Sequence, residues 1–244
     1  MSANADMRQH LVQQTRLAVL NKAMTAHGLI LPGSAFPVSR DDAGGPEFLL
    51  NLPLKSALSE FARRSRTSLP AFVELIRGQT EADYRQNKSL APAVLKELCA
   101  GYKHLDQLQD IARVGVEVTL KATPPRQVNR PSNHGSAQDR VNVLRKNIRM
   151  EQDAWRCLVL DLDLLEQWPE IIISPFGVVN KGDDDASISG RTIHDLSFPE
   201  GSSINDIKDQ TSITKPDYSH CDAVAVEILK VKREQPNATV KIMA

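Results

Sequence analysis

The chain of 244 residues has few cysteines and few aromatic residues. Its three cysteines, Cys99, Cys157 and Cys221, form no C-x-x-C pair, so the sequence favours neither a disulfide framework nor a zinc ribbon. Aromatic residues make up 5% of the chain, and the core is therefore expected to be mainly aliphatic. With 41% hydrophobic and 25% charged residues, the composition is that of a globular protein rather than a disordered one.

Long apolar runs are lacking as well. The most apolar stretches, 157–160 and 171–173, are much shorter than the roughly 18–20 residues that cross a bilayer. The first ten residues lack the apolar segment of a signal peptide. We therefore expect a soluble intracellular protein, cytoplasmic or nuclear, that is not secreted and has no membrane partner.

The chain also has no net charge, but its charges are distributed unevenly. Residues 1–150 carry 21 Lys+Arg against 13 Asp+Glu, whereas residues 151–244 carry 9 against 17. The segment 121–149 contains seven basic residues and a single acidic one, Asp139. A basic region of this kind can attract a polyanion such as nucleic acid. Alternatively, it is a solvated helix face that pairs with the acidic half of the chain.

The sequence pattern divides the chain into three regions. Helical periodicity predicts a helix over 8–26 and a mainly helical region over 1–120, with a loop rich in glycine and proline at 27–48. The proline-rich and basic segment 121–134 is typical of an extended connector. The third region, 135–244, adds strand patterns to helices, so we expect an α+β fold. The pattern indicates no role for the first region.

A single long helix is predicted at the start of the third region. Ser136 is expected to cap it, and the helix should run to about Cys157. Its apolar face is predicted to consist of Val141, Leu144, Ile148, Trp155 and Leu158.

A β-hairpin is predicted after this helix. β-Branched and apolar residues over 171–181 and 191–196 flank the polar segment 182–190. A helix over 221–233 and the beginning of a strand at 239–244 are predicted further along the chain.

The hairpin carries the most specific pattern in the sequence. Its first arm reads Ser174-Pro-Phe-Gly-Val-Val-Asn-Lys181, and its return arm continues as Gly190-Arg-Thr-Ile-His-Asp-Leu-Ser-Phe-Pro199. These motifs resemble the fingers hairpin of retrotransposon reverse transcriptases of the DIRS-like or a related class. The loop that follows supplies an asparagine in Ser203-Ile-Asn-Asp206, as in that family. The resemblance covers about residues 128–244, is strongest over 172–206 and does not extend to residues 1–120.

This resemblance implies an incomplete reverse-transcriptase fingers subdomain that runs into the beginning of the palm. It implies that Lys181 and Arg191 bind the deoxynucleotide triphosphate, lysine as a point charge and arginine as a planar fork. On charge alone, the template phosphates are expected to contact four arginines: Arg126, Arg130, Arg140 and Arg145. The alternative is that Lys181 and Arg191 are exposed hairpin charges that balance the acidic residues 183–185.

The carboxylates of polymerase chemistry are not found in their expected context. Nucleotidyl transfer needs aspartates that hold two divalent ions. In the family, the first catalytic aspartate follows the strand predicted at 239–244, and an aromatic-x-Asp-Asp motif lies much further along the chain. Neither is among these residues. The acidic runs 41–42 and 183–185 are interpreted as turn residues. We therefore predict no catalytic residue, no metal ligand and no cofactor in this chain, and no activity by the chain alone.

The resulting hypothesis is part of a transposable-element polyprotein whose full-length form is an RNA-directed DNA polymerase, a nucleotidyltransferase. That parent would use Mg²⁺, deoxynucleotide triphosphates, an RNA/DNA template-primer and the remaining polymerase domains. A truncated gene copy and a fragment of a longer protein are both compatible with the sequence. The alternative function is a non-enzymatic helical module that binds nucleic acid or another protein.

Overall fold

A computed structural model of the chain describes residues 2–33, 39–40, 46–47, 49–88, 90–212, 221–237 and 239. Its contacts divide the chain into two compact units, Met1–Lys208 and Asp209–Ala244.

The first unit combines helices with two short strand pairs. Its helices are α1 (Ser2–Ala26), α2 (Leu52–Ser65), α3 (Leu69–Arg77), α4 (Pro92–Leu98), α5 (Leu105–Val114), α6 (Gly135–Asp139), α7 (Val141–Asp153) and α8 (Ile204–Ile207), with a 3-10 turn at Leu162–Leu165. Its antiparallel pairs are β1 (Ser39–Arg40) with β2 (Pro46–Glu47), and β3 (Phe176–Val179) with β4 (Arg191–His194). The α+β class predicted from the sequence is confirmed. The β1–β2 pair lies inside the segment predicted as a loop over 27–48.

Local sequence explains where α2 and α3 begin and end. The side chain of Asn51 accepts a hydrogen bond from the backbone N–H of Leu54 and so caps α2. Pro70 stands in the first turn of α3, where a missing N–H leaves no intrahelical bond unmade. Gly78 ends α3 in the left-handed region at φ 66°, a conformation that favours glycine.

Three aromatic side chains contact one another in the main core. Phe72 lies between Phe61 and Trp168, with ring centroids 6.1 and 5.1 Å apart. Trp168 is 1% exposed, and its indole N–H donates to the backbone oxygen of Thr67 at 3.0 Å. Burial of a side chain of this size stabilises the fold by about 1.5–3 kcal/mol. The aliphatic members of this core are Leu20, Met24, Leu54, Leu58, Ala62, Ile76 and Leu164.

This core draws on residues from both sides of the predicted connector. Leu164 and Trp168 pack with the side chains of α1, α2 and α3. The contacts place the division between units after Lys208. The division into 1–120, 121–134 and 135–244 was made on sequence character, and it stays a prediction.

The single long helix predicted from Ser136 to about Cys157 is wrong. Arg140 breaks it into α6 and α7 with φ −119° and ψ 41°. Ser136 does not cap a helix, because it lies inside α6, whose N-cap position is His134; its hydroxyl instead accepts a hydrogen bond from the backbone N–H of Val178 at 3.2 Å. The second helix ends at Asp153, and Trp155 takes a positive φ of 58°. Tertiary contacts to the hairpin therefore override the helical periodicity of this segment.

The predicted apolar face changes with the helix. Val143 and Leu144 of α7 are buried, whereas Val141 is 39% exposed. Trp155 and Leu158 lie beyond the end of α7, where they are half-buried against the main core.

The second unit contains a 3-10 turn (Gln210–Ser212) and the helix α9 (Cys221–Glu234). This helix confirms the prediction for 221–233. None of its residues is buried. The strand predicted at 239–244 falls, apart from Thr239, outside the described residues.

In the described part of the chain, no helix combines the length and the apolar character that a bilayer crossing requires.

Candidate nucleotide-binding hairpin

The predicted hairpin forms, with β3 and β4 paired in antiparallel register. Phe176 lies opposite His194 at the base, and Val179 lies opposite Arg191 near the tip. Val178 is 3% exposed, whereas the neighbouring Val179 is 40% exposed, as expected for side chains that alternate between two faces of a strand. The buried face therefore packs on the helices and the exposed face carries Arg191.

A small apolar cluster holds the buried face of the hairpin. Val178 packs with Ala137 of α6 and with Val143 and Leu144 of α7. Only these four residues form its buried centre among the described residues, so apolar burial contributes much less here than in the main core.

Polar side chains of α7 supply a second attachment. The Asn147 side chain donates to the backbone oxygen of Gly190 at 2.9 Å and to the hydroxyl of Thr192 at 3.1 Å. Lys146 donates to the backbone oxygen of Ile188 at 3.2 Å. Each of these bonds reaches the return arm or the segment just before it, so α7 fixes the position of β4.

Arg140 bridges the two arms of the hairpin. One terminal nitrogen donates to the side-chain oxygen of Asn180 at 3.0 Å, and the other donates to the backbone oxygen of Ser189. Its Nε is buried and has no hydrogen-bond partner among the residues that the structure describes. The structure thus places this arginine on the hairpin; its predicted contact with nucleic acid stays a prediction.

Gly190 has a packing requirement that follows from this bridge. A Cβ at this position would lie 2.6 Å from Nη2 of Arg140, 2.8 Å from Cγ1 of Val178 and 3.0 Å from the backbone oxygen of Val179. The glycine of the return-arm motif therefore lets the guanidinium lie against the strand.

Lys181 and Arg191 lie at the same end of the hairpin. Arg191 is the first residue of β4 and lies opposite Val179 of β3. Lys181 follows Val179 by two residues. Both side chains are exposed, and neither forms an ion pair among the described residues.

The acidic residues of the tip have other partners. Asp185 accepts hydrogen bonds from the backbone N–H and the hydroxyl of Ser187, at 2.9 and 2.7 Å. These bonds lower the pKa of the Asp185 carboxyl, the backbone bond most. Asp184 accepts a hydrogen bond from the hydroxyl of Ser189 at 3.0 Å. Two of the three aspartates thus stabilise the turn itself.

The base of the hairpin is tied to the connector. The side chain of Gln127 donates to the backbone oxygen of Ile173 and accepts from its N–H, both at 2.9 Å. His134 Nε2 lies 3.0 Å from a carboxylate oxygen of Asp195, and its backbone N–H donates to Phe176 at 3.0 Å. The connector is therefore held along the entry to β3 by amide and imidazole groups.

The remaining predicted arginines are exposed at separate places. Arg126 and Arg130 lie on the connector and line a pocket of about 140 Å³ together with Glu166. Arg145 is exposed on α7. None of the three forms an ion pair among the described residues. The structure brings Arg140 to the hairpin with Lys181 and Arg191 and places Arg126 and Arg130 together elsewhere.

An open apolar groove of about 670 Å³ adjoins the hairpin base. Phe176 and His194, whose rings stack at 4.8 Å, form part of its lining, as do Trp168 and Cys157. Burial raises the pKa of the Cys157 thiol. The neutral thiol predominates at neutral pH, which makes this cysteine a poor nucleophile.

The described residues do not form a magnesium site. No three side chains of His, Cys, Asp or Glu come together in the described ranges in an arrangement that could hold a metal ion. Two acidic runs are predicted as turn residues. Residues 183–185 lie in the turn at the hairpin tip, and residues 41–42 lie outside the described residues.

The sequence did not point to Arg140, Asn147 or Gln127 as the residues that hold the hairpin. Each of them donates to a backbone oxygen more than 40 residues away along the chain. The one local signal is Gly190, because a glycine at the start of a strand indicates close approach by another group.

Comparison with known proteins adds no relative. No protein-family model, no curated protein and no solved structure matches the chain.

Proposed function

We propose that this chain is part of a retroelement RNA-directed DNA polymerase and that its hairpin is the nucleotide-binding element of the fingers. One observation carries the proposal: Lys181 and Arg191, which form no ion pair within the described ranges, lie on opposite arms at the exposed end of a hairpin that bears the motif. A triphosphate needs several positive charges at fixed separation, and two antiparallel arms provide them.

The hydrogen bonds of the tip support this role over charge balancing. Asp184 and Asp185 accept hydrogen bonds from Ser189 and Ser187 and form no ion pair with Lys181 or Arg191 among the described residues. Lys181 and Arg191 therefore remain available for an incoming anion. Arginine offers two parallel N–H groups to a phosphate, whereas lysine acts as a point charge on an outer phosphate.

In the proposal, Arg140 is a positioning residue. It joins Asn180, next to Lys181, to Ser189, two residues before Arg191. Loss of this bridge would change the separation of the two cations. Arg126, Arg130 and Arg145 are exposed and are proposed to contact template phosphates.

Nuclear magnetic resonance with the chain itself tests the nucleotide site. Titration of Mg²⁺–dTTP into ¹⁵N-labelled protein should shift the amide signals of residues 180–182 and 190–192. A variant with Lys181→Ala and Arg191→Ala should bind about tenfold more weakly or worse. Lys103→Ala, a change at an exposed lysine outside the hairpin, is the matched control and should leave the affinity unchanged.

Shifts confined to other parts of the chain, or equal affinity in the double variant, would contradict the assignment. In a polymerase that contains this segment, Arg191→Ala should raise the nucleotide KM or lower kcat. Unchanged kinetics there would remove Arg191 from the site.

A second candidate, a non-enzymatic nucleic-acid-binding module, is favoured by a separate observation. Arg126 and Arg130 are exposed, line one pocket and do not bond to the hairpin tip that carries Lys181 and Arg191. An oligonucleotide bound there through several phosphates should lose affinity steeply between about 50 and 200 mM salt. Replacement of both arginines by alanine should then abolish binding, while the Lys181 and Arg191 variant binds normally.

A further inference from the structure

A cleft of about 350 Å³ lies between α1, α3 and the segment 79–88, away from the hairpin and its arginines. We call it the α1–α3 cleft. Its two walls differ in chemistry. The wall formed by α1 is largely apolar, whereas the wall formed by the end of α3 and the following segment is basic.

The apolar wall is a stripe of side chains that the core does not use. Leu11, Val12 and Val19 are 59%, 41% and 44% exposed, although Leu20 and Met24 of the same helix are fully buried. Leu11 and Val19 are eight positions apart, and a helix rises 1.5 Å per residue, so the stripe is about 12 Å long. Thus α1 has one apolar face in the core and another at the cleft.

The cleft as a whole has more positive than negative charge. The cleft lining contains four cations and one carboxylate, that of Asp83. Arg85 donates to both oxygens of this carboxylate, at 2.7 and 2.9 Å, and Lys88 lies 3.2 Å from one of them. The single carboxylate of Asp83 therefore pairs with two cations. Hydrogen bonds from Arg85, more than those from Lys88, hold the pKa of Asp83 far below its usual range.

Two further arginines increase the positive charge. Arg77 is exposed at the end of α3 and has no acidic partner in the described part of the chain. Arg16 is half-buried and donates to the backbone oxygens of Ile76 and Trp155 rather than to a carboxylate. Burial, and to a smaller extent the charge of Arg77, lower the pKa of Arg16. An anion in the cleft would reduce the repulsion between these two guanidinium groups.

We infer that the α1–α3 cleft binds an acidic amphipathic segment of a partner protein, with aspartate or glutamate beside leucine, isoleucine or valine. Several cations next to one another suit several carboxylates better than the single carboxylate of a fatty acid. The apolar stripe would remain unpaired against a sugar-phosphate backbone, but apolar side chains of an amphipathic segment would bury it. The inference does not depend on the proposed polymerase function.

Fluorescence anisotropy tests the inference with a labelled peptide of about 16 residues, long enough to span the stripe as a helix. The probe carries glutamate on one face and leucine on the other. Two matched probes replace every glutamate by glutamine, or every leucine by serine. We expect the acidic amphipathic probe to bind and each matched probe to bind about tenfold more weakly or worse.

Variants of the chain locate the binding. Arg77→Glu should weaken the acidic probe by about tenfold or more, and Leu11→Ser with Val19→Ser should do so independently. All three side chains are exposed, so far-ultraviolet circular dichroism and the melting temperature should not change. Lys96→Glu, at an exposed lysine on α4, has the same change of charge and should leave affinity unaltered.

Four results would overturn the inference. The first is no binding of the acidic probe, and the second is equal affinity in Arg77→Glu and Lys96→Glu. The third is displacement of the probe by a single-stranded oligonucleotide whose own affinity falls with Arg77→Glu. That outcome would make the cleft a nucleic-acid site. The fourth is binding of the acidic probe that depends on Arg126 and Arg130 instead of Arg77. That result would concern the site of the proposed function and leave the cleft without a ligand.

Discussion

The main core and the hairpin are held in different ways. The core around Phe72 and Trp168 depends on apolar burial, which is large and has little directional preference. The hairpin has a buried apolar centre of four residues and depends on hydrogen bonds from Arg140, Lys146 and Asn147 to its backbone and side chains. Hydrogen bonds are modest in net free energy but specific in direction. The core therefore determines the stability of the first unit, and the polar contacts determine the position of Lys181 and Arg191.

Removal of the largest core side chain should have the largest effect. Trp168→Ala leaves a cavity beside Phe72, and we expect the free energy of unfolding to fall by about 3–5 kcal/mol. Urea denaturation measures this loss. Trp168→Phe keeps an aromatic ring but loses the hydrogen bond to Thr67, so it should lose only a fraction of that amount. Equal losses in the two variants would show that packing is not the main contribution.

Gly190→Ala should affect the hairpin more than the core. The added methyl group would overlap Arg140 and Val178, with an expected local destabilisation of about 1–3 kcal/mol. Hydrogen exchange should become faster in residues 176–194, while protection of α2 and α3 is retained. Gly135→Ala is the control, because a Cβ there would meet no atom within 4 Å. Unchanged exchange in the hairpin would contradict the close approach of Arg140.

Asn147→Ala should have a smaller effect of the same kind. It removes the hydrogen bonds to Gly190 and Thr192, which together stabilise the docked β4 by about 1–2 kcal/mol. Amide chemical shifts of β4 report the displacement. Asn142→Ala, at an exposed position of the same helix, should leave these signals in place. If both variants behave alike, α7 does not position the hairpin.

The smallest expected effect concerns an ion-pair group at the edge of the core. Lys55 and Arg63 lie 2.8 and 2.6 Å from Asp161, and hydrogen bonds from them lower the pKa of its carboxyl, the bond from Lys55 most. A carboxyl with a lowered pKa in the folded state adds stability above its unfolded pKa of about 3.9, and this stability is lost as pH falls through the folded value.

Asp161→Asn should therefore reduce the loss of stability that the chain shows on acidification below about pH 4. The pair is partly exposed, so the difference should stay within about 1 kcal/mol. Urea midpoints of the two proteins at neutral and acidic pH measure it. A variant whose midpoint falls with acidification as much as that of the parent would show that Asp161 does not contribute.

The sequence predicted local structure better than long-range structure. The hairpin arms and the helices at 8–26 and 221–233 follow from residues that are close together in the chain. The break at Arg140 does not follow from neighbouring residues, because Arg140 bonds to Asn180 and Ser189. Helical periodicity gives no information about contacts that distant in the chain. The core is mainly aliphatic, as predicted, but the contact between Phe72 and Trp168 could not be predicted, because nothing near Phe72 in the sequence indicates that Trp168 packs on it.

Prediction of the candidate site from the sequence has a similar limit. Lys181 and Arg191 are exposed, as long charged side chains usually are, but their predicted contact with a nucleotide stays a prediction. Charge alone could not distinguish Arg140, which bonds to the hairpin, from Arg126, Arg130 and Arg145, which are exposed. All four are arginines in one basic segment, and only their spatial neighbours differ.

The bridge formed by Arg140 also closes off the tip of the hairpin. It joins Asn180 to Ser189, so it holds the two ends of the intervening loop together in addition to the hydrogen bonds formed inside the turn. Doubling the length of a flexible loop with fixed ends costs only about 0.6 kcal/mol. The turn should therefore tolerate insertions, epitope tags or a fluorescent label between residues 183 and 187 without a shift in strand register.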